Sequence, residues 1–223
     1  MIVYCATSNP GKLREFQLAA PDFDVRPLPV KVPPPEENGA TFEENAAAKA
    51  EYYGQFVDGY LFADDSGLEV DALGGAPGVH SARYAGEEAT DRENNALLLD
   101  RLKEATDRSA RFVCVIALVK GGGRPDPHAN PWSRDEPGQE AGPRVALDTQ
   151  ASAPQVKTFR GVVEGRILHE ARGSSGFGYD PLFYYEPFGC TFGEASLEGK
   201  MRVSHRAQAL AAMFTYLRNS AAT

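Results

Sequence analysis

Two segments of the sequence carry residue types suited to phosphate hydrolysis. Thr7-Ser8-Asn9-Pro10-Gly11-Lys12 is dense in turn formers and ends on a cation. Between a strand and a helix, such a turn offers backbone N–H groups to an anion at the helix N-terminus. Lys12 adds a point charge, and Thr7, Ser8 and Asn9 add side-chain hydrogen bonds. A Walker A loop needs a longer Gly-to-Gly-Lys spacing, so this is not one. The plainer alternative is a tight turn with a solvated lysine. Asp64-Asp65-Ser66-Gly67 sets two like charges side by side. Such a pair is expected to face water or a cation. Mg2+ takes one or two carboxylates together with substrate phosphates and waters. A second carboxylate can then take a proton from an attacking water. The alternative is an acidic turn before Gly67.

Three further segments are compatible with nucleotide binding. Thr41-Phe42-Glu43-Glu44 matches a capping box, so Glu44 reads first as a helix start and second as a remote metal or water ligand. Lys49 lies one residue past the i,i+4 spacing from Glu44, which makes a helix salt bridge between them poor; its own i,i+4 neighbour is Asn45. From spacing alone Lys49 is a solvated lysine. Ser174-Ser175-Gly176-Phe177-Gly178-Tyr179-Asp180-Pro181 joins flexible glycines to two aromatics and an acid. Its aromatics can stack a base and Asp180 can accept from a base or ribose donor; equally, Phe177 can plug the core. In Lys200-Met201-Arg202-Val203-Ser204-His205-Arg206, Ser204 is a plausible N-cap. His205 and Arg206 then oppose the helix dipole, which suggests an anionic or carbonyl-bearing ligand. The dipole should also favour neutral imidazole at His205.

The elements that must hold these segments follow from periodicity. Ile2 to Ala6 reads as a buried strand. Lys12 to Ala20 reads as a helix with Leu13, Phe16, Leu18 and Ala20 toward the core. Pro27 to Gly39 is extended. A capped, Ala-rich helix runs from Thr41 to about Phe56. Tyr60 to Ala63 reads as a strand that ends at the acid pair, with a second extended stretch from Leu68 to Leu73 and a loop from Gly74 to Gly86. Thr90-Asp91-Arg92-Glu93 repeats the capping box and predicts a helix to about Ala105, with Leu97, Leu98 and Leu102 apolar. Arg111 to Val119 is the central strand. Phe159 to Leu168 is strand-like, bending at Gly161 and Gly165. Gly173 to Pro181 is a loop, and Ser204 opens a last helix ending near Arg218. This order is that of an α/β fold. The second half is richer in strands than in helices, so a mixed sheet fits better than a doubly wound one.

Composition narrows the function classes. The 223 residues are 42% hydrophobic and 24% charged, with net charge −8. That is ordinary for one large domain or two lobes sharing a core. Residues 121–158 hold 6 Pro and 5 Gly and read as a flexible insertion in that domain. Cys5, Cys114 and Cys190 show no paired spacing, so neither a zinc site nor a disulfide framework is expected. Met1 to Ala6 has no basic flank and no long apolar run. The longest apolar run, Phe112 to Val119, is far short of a membrane span. A cytoplasmic protein without membrane contact is expected. The acidic balance and the lack of a basic stripe disfavour a nucleic-acid polymer as partner.

Taken in order, the five segments resemble the Ham1/inosine triphosphatase family of non-standard purine nucleoside triphosphate pyrophosphatases. The likeness spans nearly the whole chain except roughly residues 121–158. The resemblance implies hydrolysis of ITP, dITP and XTP to the monophosphate and pyrophosphate with Mg2+. It also implies an elongated α/β fold of two lobes around a deep nucleotide-binding cleft, usually homodimeric. By motif match, Thr7, Ser8, Asn9, Pro10, Gly11 and Lys12 would hold the triphosphate. Asp65 would be proton acceptor and metal ligand, with Asp64 beside it; Glu44 would join the metal and Lys49 would neutralise phosphate charge. Ser66, Phe177, Gly178, Tyr179, Asp180, Lys200, His205 and Arg206 would line the nucleotide pocket. Ser8 departs from the Gly often found there. Rival readings are a pyrophosphatase for modified pyrimidines and a nucleotide sensor without hydrolysis; two repelling acids are of little use to the latter.

Overall fold

The computed structural model describes residues 1–7, 9–19, 22–122 and 155–221. Among these described residues, seven strands form one mixed sheet in the order β2-β1-β3-β4-β5-β6-β7. They are β1 (Ile2–Cys5), β2 (Asp24–Pro27), β3 (Asp58–Val70), β4 (Ser109–Gly122), β5 (Lys157–Ile167), β6 (Phe183–Tyr185) and β7 (Cys190–Thr191). β1 lies parallel to β2 and β3, and the other neighbours are antiparallel. The helices are α1 (Pro10–Ala19), α2 (Phe42–Gly54), α3 (Asp91–Arg101), α4 (Leu197–Lys200) and α5 (His205–Ala221). The expected mixed α/β architecture is therefore present.

β4 occupies the middle of the sheet, and Phe112 to Val119 are all buried. A strand covered on both faces needs such an unbroken apolar run. On one face, α1 and α5 set Phe16, Leu210, Met213 and Phe214 against Val3, Phe62 and Ile116. On the other, α2 sets Phe42, Ala46 and Ala50 against Leu61, Val113 and Val115. A third cluster, around Leu68, Leu98, Phe112, Ile167 and Phe183, fills the end where α3 packs.

Several expectations are corrected. The acid pair does not end a strand: β3 continues through it to Val70, paired with β4 from Asp58–Gly122 to Val70–Ala110. The turn-forming Asp-Asp-Ser-Gly run is overridden by that ladder. What ends nearby is β1, whose pairing stops at Cys5–Phe62, with one more bond from Ala6 N to Phe62 O. Beyond Val70 the chain is not extended but forms a 3-10 turn at Asp71–Leu73, and the following loop contains another at Gly78–Arg83. α1 begins at Pro10, two residues early, since proline suits a first helical position. Leu18 is exposed, and Glu15 is buried on the inner face instead. Gly161 and Gly165 are close-approach positions. A Cβ at Gly161 would stand 2.0 Å from the His205 carbonyl oxygen, and one at Gly165 would stand 2.6 Å from Phe183. β4 runs on to Gly122 and β5 starts at Lys157, so the expected insertion is shorter at both ends. Of what remains, residues 123–154, like Ser8 and Ala20, lie outside the described residues.

Candidate active site

The turn after β1 is organised by Asn9. Its Oδ1 accepts from the Gly11 and Lys12 amides, at 2.8 and 3.1 Å, and its own N–H donates to Thr7 Oγ1 at 3.2 Å. The Gly11 and Lys12 N–H donors expected to serve phosphate are thus already used inside the turn. Side chains are left to meet an anion, chiefly the Asn9 amide, Thr7 and Lys12. Lys12 Nζ lies 2.8 Å from Asp64 Oδ2. Burial pushes the Asp64 carboxyl up, but the charges of Lys12, Arg206 and Lys49 outweigh it and hold it at about 2.

Consecutive side chains of a strand point to opposite faces. Asp64 therefore faces α1 and α5, where Ser66 Oγ donates to its Oδ2 at 3.2 Å. Asp65 faces α2. Lys49 Nζ lies 3.1 Å from Asp65 Oδ1, and Asn45 Nδ2 donates to Oδ2 at 3.2 Å. Asn45 and Lys49, one helical turn apart, grip the same carboxylate. Lys49 is buried, contrary to the solvated lysine its spacing suggests, and also pairs with Glu37 at 3.2 Å. Burial raises the pKa of Asp65 against the opposing pull of Lys49. Glu44 is half a capping box. Its backbone N–H donates to Thr41 Oγ1, while its Oε2 accepts from the Ala40 amide at 2.7 Å.

On the Asp64 face lies a cavity. Asn9, Lys12, Ser66, Gly67, Phe177, Gly178, Tyr179, Asp180, Lys200, His205 and Arg206 line it, with Ser81, Ala82, Asp91 and Phe112. Its floor is a buried charge network. Glu15 pairs with Lys200 at 3.0 Å and with Arg206, and Lys200 Nζ also lies 2.6 Å from Asp180. Arg206 Nη2 donates to Ser66 Oγ at 3.1 Å. The Phe177 ring stands under two of these cations, its centroid 5.0 Å from Lys200 Nζ and 5.5 Å from the Arg206 guanidinium carbon. His205 stacks on Phe112 at 4.8 Å. Burial, then the charges of Arg206, Lys200 and Lys12, keep its imidazole neutral. His205 Nδ1 and Arg206 Nε are buried without a hydrogen-bond partner. Tyr179 is a wall rather than a stacking platform, since it is buried and its hydroxyl donates to the Ser81 carbonyl at 2.8 Å. Asp180 Oδ2 is already engaged by Lys200 and the Phe177 amide.

Comparison with known proteins places this arrangement. The family described as "Ham1 family" matches residues 3–130 and 143–216. The chain belongs to the Ham1 family. A dITP/XTP pyrophosphatase of Desulfotalea psychrophila is 44% identical over 94% of this chain and 82% of its own length. One of Photorhabdus laumondii is 41% identical over 98% of both. A solved Ham1 protein from Coxiella burnetii is 37% identical, covers 98% of this chain and 99% of its own, and superposes with a TM-score of 0.77. Between its two ends the Ham1 match skips residues 131–142, so it reaches into the Pro- and Gly-rich stretch from both sides.

For this Ham1 chain the expected residues fall into two groups. Ten of them, Lys12 included, line the cavity, and Asp64 joins that group through its ion pair. Asp65, Lys49 and Glu44 lie on the α2 side of β3. Thr7, Pro10 and Gly11 belong to the turn between, where a Cβ on Gly11 would press on Phe177 at 2.9 Å. Sequence reasoning missed Glu15, Glu37, Asn45 as a ligand of Asp65, Ser81 and Asp91. Glu15 had a signal: with Lys12, Phe16 and Ala19 it follows the i, i+3, i+4, i+7 spacing of one helix face. Glu37 and Ser81 had none, because Lys49, which meets the first, and Leu68 and Tyr179, which meet the second, lie on other elements.

Proposed function

We propose that the protein hydrolyses non-standard purine nucleoside triphosphates, among them dITP and XTP, to the monophosphate and pyrophosphate. The observation that carries this reading is the pair of consecutive carboxylates on β3, each held by a lysine from a different helix beside a cavity rich in cations. The base lies in the cavity against Phe177. The triphosphate crosses the edge of β3 just past the end of β1, between the Thr7–Lys12 turn and α2. We read the cavity as the floor of a cleft between two lobes.

Phosphoryl chemistry needs positioning and charge neutralisation more than covalent catalysis. Lys12 and Lys49 neutralise phosphate oxygens, Lys12 in exchange for Asp64 and Lys49 in exchange for Glu37. Asp65 takes the proton of the attacking water, and Asn45 and Lys49 fix its orientation. A base pushed upward by burial is better matched to neutral pH than an ordinary aspartate. Magnesium fits the donor set. Among the described residues no cluster of three His, Cys, Asp or Glu is present, but Mg2+ needs only one or two carboxylates besides phosphates and water. Asp65 would hold it, with Glu37, which shares Lys49, or with Glu44 once freed from Ala40. When bound, the ion would offset charge on the phosphates. A 6-keto purine presents an acceptor to Arg206 and His205, where adenine presents an amino group. We further infer a cytoplasmic homodimer. Among the described residues no helix is long and apolar enough to cross a membrane.

The test is pyrophosphate release from dITP, XTP, dATP, dGTP and a modified pyrimidine triphosphate, with and without Mg2+. Magnesium-dependent pyrophosphate from the first two, and a loss of about 10²–10⁴-fold in Asp65→Asn, are expected. Inorganic phosphate as product, or equal rates with dATP, sinks the reading.

A further inference from the structure

Nothing so far accounts for Asp91 and Asn95. They lie one turn apart on α3, far in sequence from the loop that carries Phe177. Asp91 Oδ2 accepts from the Gly178 N–H at 2.6 Å. Asn95 Nδ2 donates to the Gly178 carbonyl at 3.0 Å. Both hydrogen-bonding groups of one residue are thus held by two side chains of one helix. Gly178 needs such a hold. Its φ is +61° and a Cβ there would touch nothing within 4 Å, so no packing of its own fixes the left-handed turn. The preceding residue is Phe177, whose N–H donates to Asp180 and whose ring lies under Lys200 and Arg206. The neighbouring Asn94 ties α3 down: its Oδ1 accepts from the Ala85 amide at 2.8 Å and its Nδ2 donates to the Ala82 carbonyl at 3.1 Å. The helix is therefore a fixed support.

We propose that Asp91 and Asn95 are positioning residues that clamp the Gly178 peptide groups and so set the plane of Phe177 against the purine. They do no chemistry; they decide how well the base surface is formed before substrate arrives. The proposal rests on reading Phe177 as the surface on which the base stacks. Charge-assisted hydrogen bonds to a backbone amide are the stronger kind, so Asp91 carries more of the effect than Asn95. An asparagine at position 91 keeps an acceptor and should largely restore it.

The experiment compares Asp91→Ala, Asp91→Asn, Asn95→Ala and Phe177→Ala, and Asp91→Ala combined with Phe177→Ala. Amide hydrogen exchange of the segment 173–181 in the ligand-free enzyme reads the clamp whatever the substrate. Asp91→Ala and Asn95→Ala should speed it, with Asp91→Asn close to wild type. In dITP hydrolysis, Asp91→Ala should raise KM about tenfold, the worth of one such bond, while kcat changes less. In the Phe177→Ala background the same change should add little. Unchanged exchange in both alanine variants overturns the clamp. Faster exchange with an equal KM penalty in the presence and absence of Phe177 overturns its role in setting the ring. Wild-type enzyme that fails to cleave dITP refutes the proposed substrate, while the exchange result still decides the clamp.

Discussion

Buried charge sets the terms at the scale of single residues. Glu15, Lys200, Arg206 and Asp180 are each almost wholly withdrawn from solvent, and each is affordable only because the others are present. Glu15→Ala leaves two buried cations sharing one fewer carboxylate. It should lower stability by about 3–5 kcal/mol, read from the urea midpoint. His205 gives a pH signature. The unfolded chain takes up its proton near the usual 6.5, the folded one only well below. Stability is therefore undiminished above that pH and falls below it, by up to about 1.4 kcal/mol per pH unit from this group alone. Denaturation between about pH 7 and pH 5.5 should show a flatter slope in His205→Gln; an identical slope in the two proteins contradicts the assignment. On the proposed reading Arg206 donates to the keto oxygen, so Arg206→Ala should narrow the preference for dITP over dATP in initial rates; an unchanged ratio contradicts that role. These residues were legible in part. His205 and Arg206 broke the dipole rule visibly, and the neutral imidazole followed. Lys49 was not legible as a buried group, since what buries it is an acid on a different element.

Elements succeed or fail on close approach. Gly161 lets α5 lie on β5. In Gly161→Ala the new methyl would meet the His205 carbonyl and the Ala209 amide, neither of which can rotate away. We expect about 1–3 kcal/mol of destabilisation and weaker nucleotide binding, since α5 carries His205 and Arg206. Calorimetry and a dITP titration check both; wild-type values in each would show that the sheet and helix part easily. Capping explains which helices the sequence announced. Thr90 and Glu93 form the reciprocal box, with Glu93 Oε2 accepting from the Thr90 amide at 2.8 Å and Thr90 Oγ1 from the Glu93 amide at 3.3 Å. Thr41 caps α2 in the same way on one side only. β3 was misjudged because Asp-Ser-Gly is locally a turn, and only the long ladder with β4 makes it a strand. The glycines of β5 read as bends because a sequence shows the missing side chain and not the helix or ring that requires its absence.

For the molecule as a whole, the sheet is the scaffold and β4 its axis. Ile116→Ala should cost about 2–5 kcal/mol, while Leu18→Ala, on an exposed face, should stay within about 0.5 kcal/mol. Equal losses would mean that the clusters on the two faces are not what holds the fold. The order of elements was readable from periodicity, since alternating strands and helices followed by strand-rich sequence leave few topologies. The position of the acid pair relative to the cavity was not, because it depends on where β1 stops alongside β3. That alternation of Asp64 and Asp65 across the sheet limits how the protein can change. Losing one residue from β3 ahead of the pair would turn each acid to the opposite face of the sheet, away from its own lysine. Loss of two would return each acid to its own face but about 7 Å along the strand from its lysine. Active descendants of the chain should therefore keep the length of this strand ahead of the pair.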